Sequence, residues 1–309
     1  MSSIAKAFAP GNISCIFVIK KNKNPAKSGS LGMGFTIDKG VIVSIKKLDN
    51  NVNKKISENN NIIYFNNKKI NFATVNFVVE KLTDEKIIVK IKSELPLGCG
   101  FGLSGASALA TAYALNKLLK LKKSKKELAF LVHVAEVENM TGLGDAVNQY
   151  YGGFLVKFQS SHMFKVKKLA IKNKTIYYKY FSAIDTKKTI SNKKIKNKIN
   201  DAGIKSLNKI KKITIIKTHK NQDFWCPENS KNFHEINRKN IFKEIIKISK
   251  EFSIKSNLLQ NKRIIDLIKN IEKSNGNASM IMLGNAVFSD KYFKGSKKLV
   301  IKDRGAYIL

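Results

Sequence analysis

Residues 96–107 read PLGCGFGLSGAS, with glycines at 98, 100, 102 and 105 and a serine at 104. The run just upstream, residues 86–92 (KIIVKIK), alternates apolar and cationic residues, the period of a strand with one face buried. Downstream, alanine and leucine predominate to about residue 121, as in a buried helix. A glycine-rich turn between strand and helix lets backbone N–H groups converge on an anion, and the helix N-terminus adds about half a positive charge. A tight turn needing positive φ would account for one glycine. Four within eight residues point to a phosphate site.

The kind of phosphate loop follows by comparison of patterns. Gly100-x-Gly102-x-x-Gly105 matches the dinucleotide fingerprint, but about 20 residues on, where an acid should meet the ribose, the chain is lysine-rich and helical (residues 120–126). No Gly-Lys-Ser/Thr closes a Walker A loop, and no protein-kinase signature follows. What remains is a Pro96-led loop with Ser104 entering the helix. Its hydroxyl can reach a metal ion bridging nucleotide phosphates, or serve as an N-cap.

Working outward, residues 13–20 and 36–46 read as strands, the second broken by a turn at 38–40, and residues 51–61 form a polar loop. Residues 72–82 fit either a strand or a helix, with the helix favoured. Ser124 and Glu127 have capping-box spacing and open a helix to about residue 139. A turn at 141–144 starts a short helix that ends at Gly152-Gly153, and residues 154–158 return as a strand. Beyond lie strands near 175–181 and 213–217, a lysine-rich helix at 191–211, helices near 233–252 and 255–273, and strands at 278–283 and 298–302. The pattern is mixed α+β with a boundary near residue 158, giving domains at 1–158 and 159–309.

Composition sets further limits. The 309 residues are 43% hydrophobic, enough for a sizeable core, and carry a net charge of +36. Residues 1–150 account for +11 and residues 151–309 for +25. Of 58 cations only Arg238, Arg263 and Arg304 are arginine, so the charge reflects lysine enrichment rather than a nucleic-acid surface, which favours arginine. The best nucleic-acid segment, residues 187–220, contains no Phe, Tyr or Trp. Cys15, Cys99 and Cys226 form neither a metal motif nor a disulfide framework. No secretory leader or membrane span is evident, so a cytoplasmic protein is expected.

Magnesium-dependent phosphoryl transfer needs carboxylates. Past the loop, with Glu127 occupied by its cap, the acids are Glu136, Glu138 and Asp145. His133 and Glu136, three apart, share a helix face, whereas Glu138 lies about 200° round and should be solvated. Glu136 could equally be an ordinary surface glutamate, and His133 a hydrogen-bonded core histidine. Asp145 follows Thr-Gly-Leu-Gly and opens a helix, as a site residue or as an N-cap.

The loop resembles the second motif of the GHMP kinases, a superfamily of small-molecule kinases. The resemblance extends to residues 7–13 (AFAPGNI), 28–35 (SGSLGMGF), 135–153 (AEVENMTGLGDAVNQYYGG) and 278–288 (ASMIMLGNAVF), in order and at compatible spacing, and within the superfamily it is greatest to the archaeal pantoate kinase family. The resemblance implies a two-domain GHMP kinase fold, with an N-terminal ATP-binding domain like the second domain of ribosomal protein S5 and a ferredoxin-like C-terminal domain. It implies ATP and Mg²⁺, pantoate as the acceptor and a homodimer. ATP would lie on Pro96, Gly98, Gly100, Gly102, Leu103, Ser104, Gly105 and Ala106, and Mg²⁺ on Ser104 and Glu136. Asp145 would face the acceptor hydroxyl, and Ser28, His133, Lys157 and Thr186 would hold pantoate. Lys157 stands where the family usually has arginine, Asn12 where it usually has histidine, and Leu31 where arginine is expected. With 55 lysines in the chain, Lys157 could also be a solvated strand residue. Homoserine or a mevalonate-pathway alcohol is the alternative acceptor, and a nicotinamide dehydrogenase the alternative enzyme.

Overall fold

A computed structural model describes residues 4–48, 61–184, 193–217, 223–225 and 235–309. Its strands are β1 (Ala5–Lys20), β2 (Gly29–Lys47), β3 (Ile62–Phe65), β4 (Lys68–Lys69), β5 (Ile87–Ser93), β6 (Phe154–Lys157) and β7 (Lys167–Leu169). They continue with β8 (Thr175–Ser182), β9 (Ile215–Lys217), β10 (Asp223–Trp225), β11 (Ala278–Met280), β12 (Asn285–Ser289), β13 (Lys297–Val300) and β14 (Tyr307–Ile308). The helices are α1 (Ala73–Leu82), α2 (Leu103–Leu118), α3 (Lys125–Glu138), α4 (Asp145–Tyr151), α5 (Lys193–Thr214), α6 (Glu235–Lys255) and α7 (Lys262–Lys273).

The first sheet runs β14-β1-β2-β5-β3-β4. Long β2 serves two neighbours: residues 32–35 pair with β6, which carries β7 beyond it, and residues 41–47 pair with β5. Helix α2 lies at the centre and is buried on nearly every side, so its alanines and glycine let β1, β2, α1 and α3 approach closely. Helix α1 buries Thr74, Val75, Val78, Val79 and Leu82, the one-face spacing of an amphipathic helix. The capping box opening α3 is present, with Ser124 and Glu127 satisfying each other's backbone N–H groups. The second sheet, β11-β12-β8-β13, is antiparallel and packs against α6 and α7.

Several sequence expectations are corrected. Pro10-Gly11 does not precede the first strand; β1 runs straight through it opposite a bulge in β2, because Pro10 pairs with Gly40 but Asn12 pairs with Thr36, leaving residues 37–39 of β2 against Gly11 alone. Residues 38–40 therefore lie inside β2, at its bulge, rather than in a turn. Opposite the bulge Asn12 is buried, and its backbone N–H donates to Phe101 O at 2.9 Å. At the other end of the chain, the strand expected at 278–283 stops at Met280 and turns into the hairpin β11–β12, and β14 was not expected at all. The expected 51–61 loop lies almost wholly outside the described residues.

Candidate active site

β5 ends at Ser93, whose hydroxyl donates to Gly40 O (2.8 Å) and accepts from Leu95 N (3.0 Å), turning the chain out of the sheet. Gly98, Gly100 and Gly102 then adopt φ values of 77°, 86° and 62°, conformations that a side chain would strain. A Cβ on Gly100 would also stand 2.8 Å from Ile281 Cγ2 and 2.9 Å from Met282 O, so the turn after β11 packs directly on the loop. Gly102 is itself the N-cap of α2 and no side chain caps the helix, so its first amides are left for a ligand. Ser104 is thus not an N-cap. Its hydroxyl donates to Thr74 Oγ1 (3.2 Å), which lies 3.1 Å from Thr141 Oγ1.

Glu136 is fully buried on α3. Its Oε2 accepts from Ala146 N at 3.0 Å, and its Oε1 has no partner. A Cβ on Gly105 would come within 2.6 Å of that oxygen, and one on Gly142 would overlap it, so small residues allow α2, α3 and the 141–144 turn to converge there. Burial, reinforced by the nearby Asp145 charge, pushes the Glu136 carboxyl well above the usual range. Glu138 is exposed, as its position on the helix requires.

Asp145 is the first residue of α4 and Gly144 its N-cap, so this carboxylate does not cap its own helix. Its Oδ1 accepts from Asn12 Nδ2 (2.7 Å) and, at 3.5 Å, from Ser14 Oγ. Asn12 Oδ1 accepts from Asn148 Nδ2 (2.9 Å), and Asn148 Oδ1 from Lys157 Nζ (2.7 Å). Lys157 also donates to Gly144 O at 3.1 Å and is buried, so it is no solvated strand lysine. Burial lowers the Lys157 ammonium to about 8, although Asp145 and Glu136 pull the other way. Burial raises Asp145, with Lys157, Asn12 and Ser14 opposing.

A cleft of about 390 Å³ runs from the glycine loop, past Ser104 and Asp145, to Lys157. Ile16, Phe17, Leu31, Met33 and Leu143 form an apolar wall along it. Two expected substrate residues do not line this cleft: Ser28 binds the Asn22 backbone through its hydroxyl, and its carbonyl pairs with His133 Nε2 at 3.0 Å. His133 is buried, which lowers its imidazole to about 4 and keeps it neutral. Ser30, two residues on, does reach the cleft and ties its hydroxyl to Leu143 O (3.2 Å). Thr186 lies outside the described residues. Asn148, Ser14 and Ser30 escaped the sequence reading, although Asn148 sits three residues after Asp145 on one helix face and Ser14 shares a strand face with Asn12. Among the described residues no three His, Cys, Asp or Glu side chains cluster as a metal site, and no helix is long and apolar enough to cross a membrane.

Residues 69–153 match the family model described as the GHMP kinases N terminal domain, and the loop, the cleft and both sheets accord with that class. The chain is 33% identical to the pantoate kinase of Methanocaldococcus jannaschii over 91% of this chain and 90% of that protein. It is 28% identical to the pantoate kinase of Methanospirillum hungatei over 92% and 86%. A solved structure described as a phosphotransferase related to the CoA biosynthesis pathway has the same fold, at a TM-score of 0.76 and 21% identity over 99% and 98% of the two chains. The chain belongs to the pantoate kinase family of GHMP kinases.

Proposed function

We propose that the protein transfers the γ-phosphoryl group of ATP to the primary hydroxyl of (R)-pantoate, forming 4-phosphopantoate for archaeal coenzyme A synthesis. The observation that carries this is the cleft itself: a phosphate loop at one end, one carboxylate with an oxygen to spare, and one buried cation beside an apolar wall. Pantoate is a small hydroxy acid with one carboxylate and two geminal methyl groups, which match Lys157 and the wall of Ile16, Phe17, Leu31 and Met33. Homoserine would bring an ammonium into a cleft whose one lining carboxylate among the described residues is Asp145.

In the proposed reaction the loop amides and the N-terminus of α2 hold the phosphates of ATP and stabilise charge as the hydroxyl oxygen attacks the γ-phosphorus. The new O–P bond forms as the bond to the departing ADP oxygen breaks. Asp145 Oδ2, which has no partner among the described residues, orients the hydroxyl and takes its proton, while Oδ1 stays fixed by Asn12 and Ser14. Lys157 has two acceptors for three donors, leaving one N–H for the pantoate carboxylate. The unpartnered Glu136 Oε1 and the Ser104 hydroxyl suit a hard cation that takes its remaining ligands from phosphate and water. These two residues would hold Mg²⁺, which supplies charge neutralisation between the phosphates when bound.

Ser28 and His133 enter the proposal behind the cleft, as a pair holding the strand that carries Ser30 and Leu31. With the assignment goes a division into an ATP-binding domain (residues 1–158) and a C-terminal domain (residues 159–309), with β7 and β14 returning to the first sheet. The family resemblance also supports a homodimer and a cytoplasmic setting. The test is ADP release with Mg-ATP and, separately, pantoate, pantothenate, homoserine, mevalonate and phosphomevalonate. Turnover with pantoate alone is expected. Turnover with another acceptor and none with pantoate would replace the assignment.

A further inference from the structure

Lys157 and Asp145 carry opposite charges and face one cleft, yet among the described residues they form no ion pair. Two carboxamides stand between them. Asn148 turns its oxygen to the ammonium (2.7 Å) and its nitrogen to Asn12 (2.9 Å). Asn12 turns its oxygen to Asn148 and its nitrogen to the carboxylate (2.7 Å). Both amides therefore point the same way, acceptor toward the cation and donor toward the anion. Both are buried, at 1% exposure each, where an unsatisfied amide is costly. This arrangement fixes both charges and keeps them from collapsing onto each other, which would consume the spare N–H of Lys157 and the spare oxygen of Asp145.

We infer that Asn148, acting with Asn12, is a positioning residue that spaces the carboxylate-binding ammonium from the proton-accepting carboxylate and so matches the cleft to a hydroxy acid. The inference rests on the proposed function for its substrate, while the bridge itself stands on geometry. It is built from three elements. Asn12 comes from β1 opposite the bulge of β2, Asn148 and Asp145 from α4, and Lys157 from β6. The charged or titratable groups acting on Lys157 are Asp145 and Glu136, and it acts in turn on buried His133. Removing Asn148 takes an acceptor from Lys157 and a donor from Asn12. Removing Asn12 takes a donor from Asp145 and leaves the Lys157 contact in place.

The experiment compares Asn148→Ala, the isosteric Asn148→Asp and Asn12→Ala with the parent protein, by steady-state kinetics and by ¹³C NMR titration of the Lys157 Cε. Asn148→Ala is expected to raise the pantoate KM about tenfold with the ATP KM within about twofold, and to move the Lys157 midpoint down by about one unit. Asn148→Asp keeps an acceptor for Lys157 but makes it a carboxylate, so it should move the Lys157 midpoint up, opposite to Asn148→Ala, while still raising the pantoate KM. Asn12→Ala should lower kcat about tenfold with little change in the pantoate KM. Unchanged kinetics in all three variants, or equal losses for ATP and pantoate, would overturn the inference. If the parent protein does not turn over pantoate, the functional assignment fails; the Lys157 titration then decides alone, and an unmoved midpoint in Asn148→Ala sinks the bridge.

Discussion

At the donor end of the cleft the working groups are backbone amides, set by Gly98, Gly100 and Gly102 in left-handed conformations. At the acceptor end they are side chains, Asn12, Asp145, Asn148 and Lys157, drawn from separate elements and bonded into one chain. The first kind of site needs only a turn of fixed shape and tolerates the lysine-rich composition around it. The second depends on particular atoms meeting at hydrogen-bond distance, and each replacement there changes the chemistry. Phosphate binding and acceptor choice should therefore be separable by mutation, and several substitutions can break or sharpen that contrast.

The largest effect is expected for Asp145→Ala, which removes the proposed proton acceptor: kcat should fall by about 10²–10⁴ while ATP affinity stays within a few-fold, checked by single-turnover kinetics and nucleotide titration. Next comes Lys157→Met, which keeps the stem but removes the charge. A rise of about 10²-fold in the pantoate KM is expected with the ATP KM unchanged, measured at saturating partner substrate. At the donor end Gly100→Ala meets both unfavourable φ and Met282 O, so the ATP KM should rise by at least about tenfold while pantoate binding to the free enzyme persists.

The buried carboxylates also set a stability profile. Folding raises the Glu136 and Asp145 pKa values, so the folded state keeps protons that the unfolded chain gives up. The Glu136 contribution is fully present below about pH 4 and is lost as pH rises toward 8, at up to about 1.4 kcal/mol per pH unit for the proton retained, and Asp145 adds in the same direction. Urea unfolding of metal-free protein should show this decline, and Glu136→Gln should flatten it. The smallest effect belongs to Glu138→Gln. This exposed residue sits off the Glu136 face, and kcat and both KM values should move less than about twofold.

The donor end was legible in the sequence because its information is local. Glycine spacing, the preceding alternation and the alanine-rich helix all fall within residues 86–121. The same locality made the capping box at Ser124 and the face of Glu136 readable. The acceptor end was only half legible. Asp145 and Lys157 could be named from the resemblance, but their connection runs through Asn12, which follows a Pro10-Gly11 that reads as a strand break and lies across from a bulge in β2. Ser28 and His133 were named as contacts to pantoate, yet they pair with each other behind the cleft, and Ser30 takes the lining position. Strand register decides between residues two apart only when the bulges are known.

Calorimetric binding of pantoate and of a non-hydrolysable ATP analogue, each to the parent protein and to Lys157→Met, tests this division most directly. Loss of pantoate binding with analogue affinity within about twofold is expected. Parallel loss of both ligands, or retention of pantoate, would contradict the separation of a backbone-built donor site from an acceptor site built of side chains.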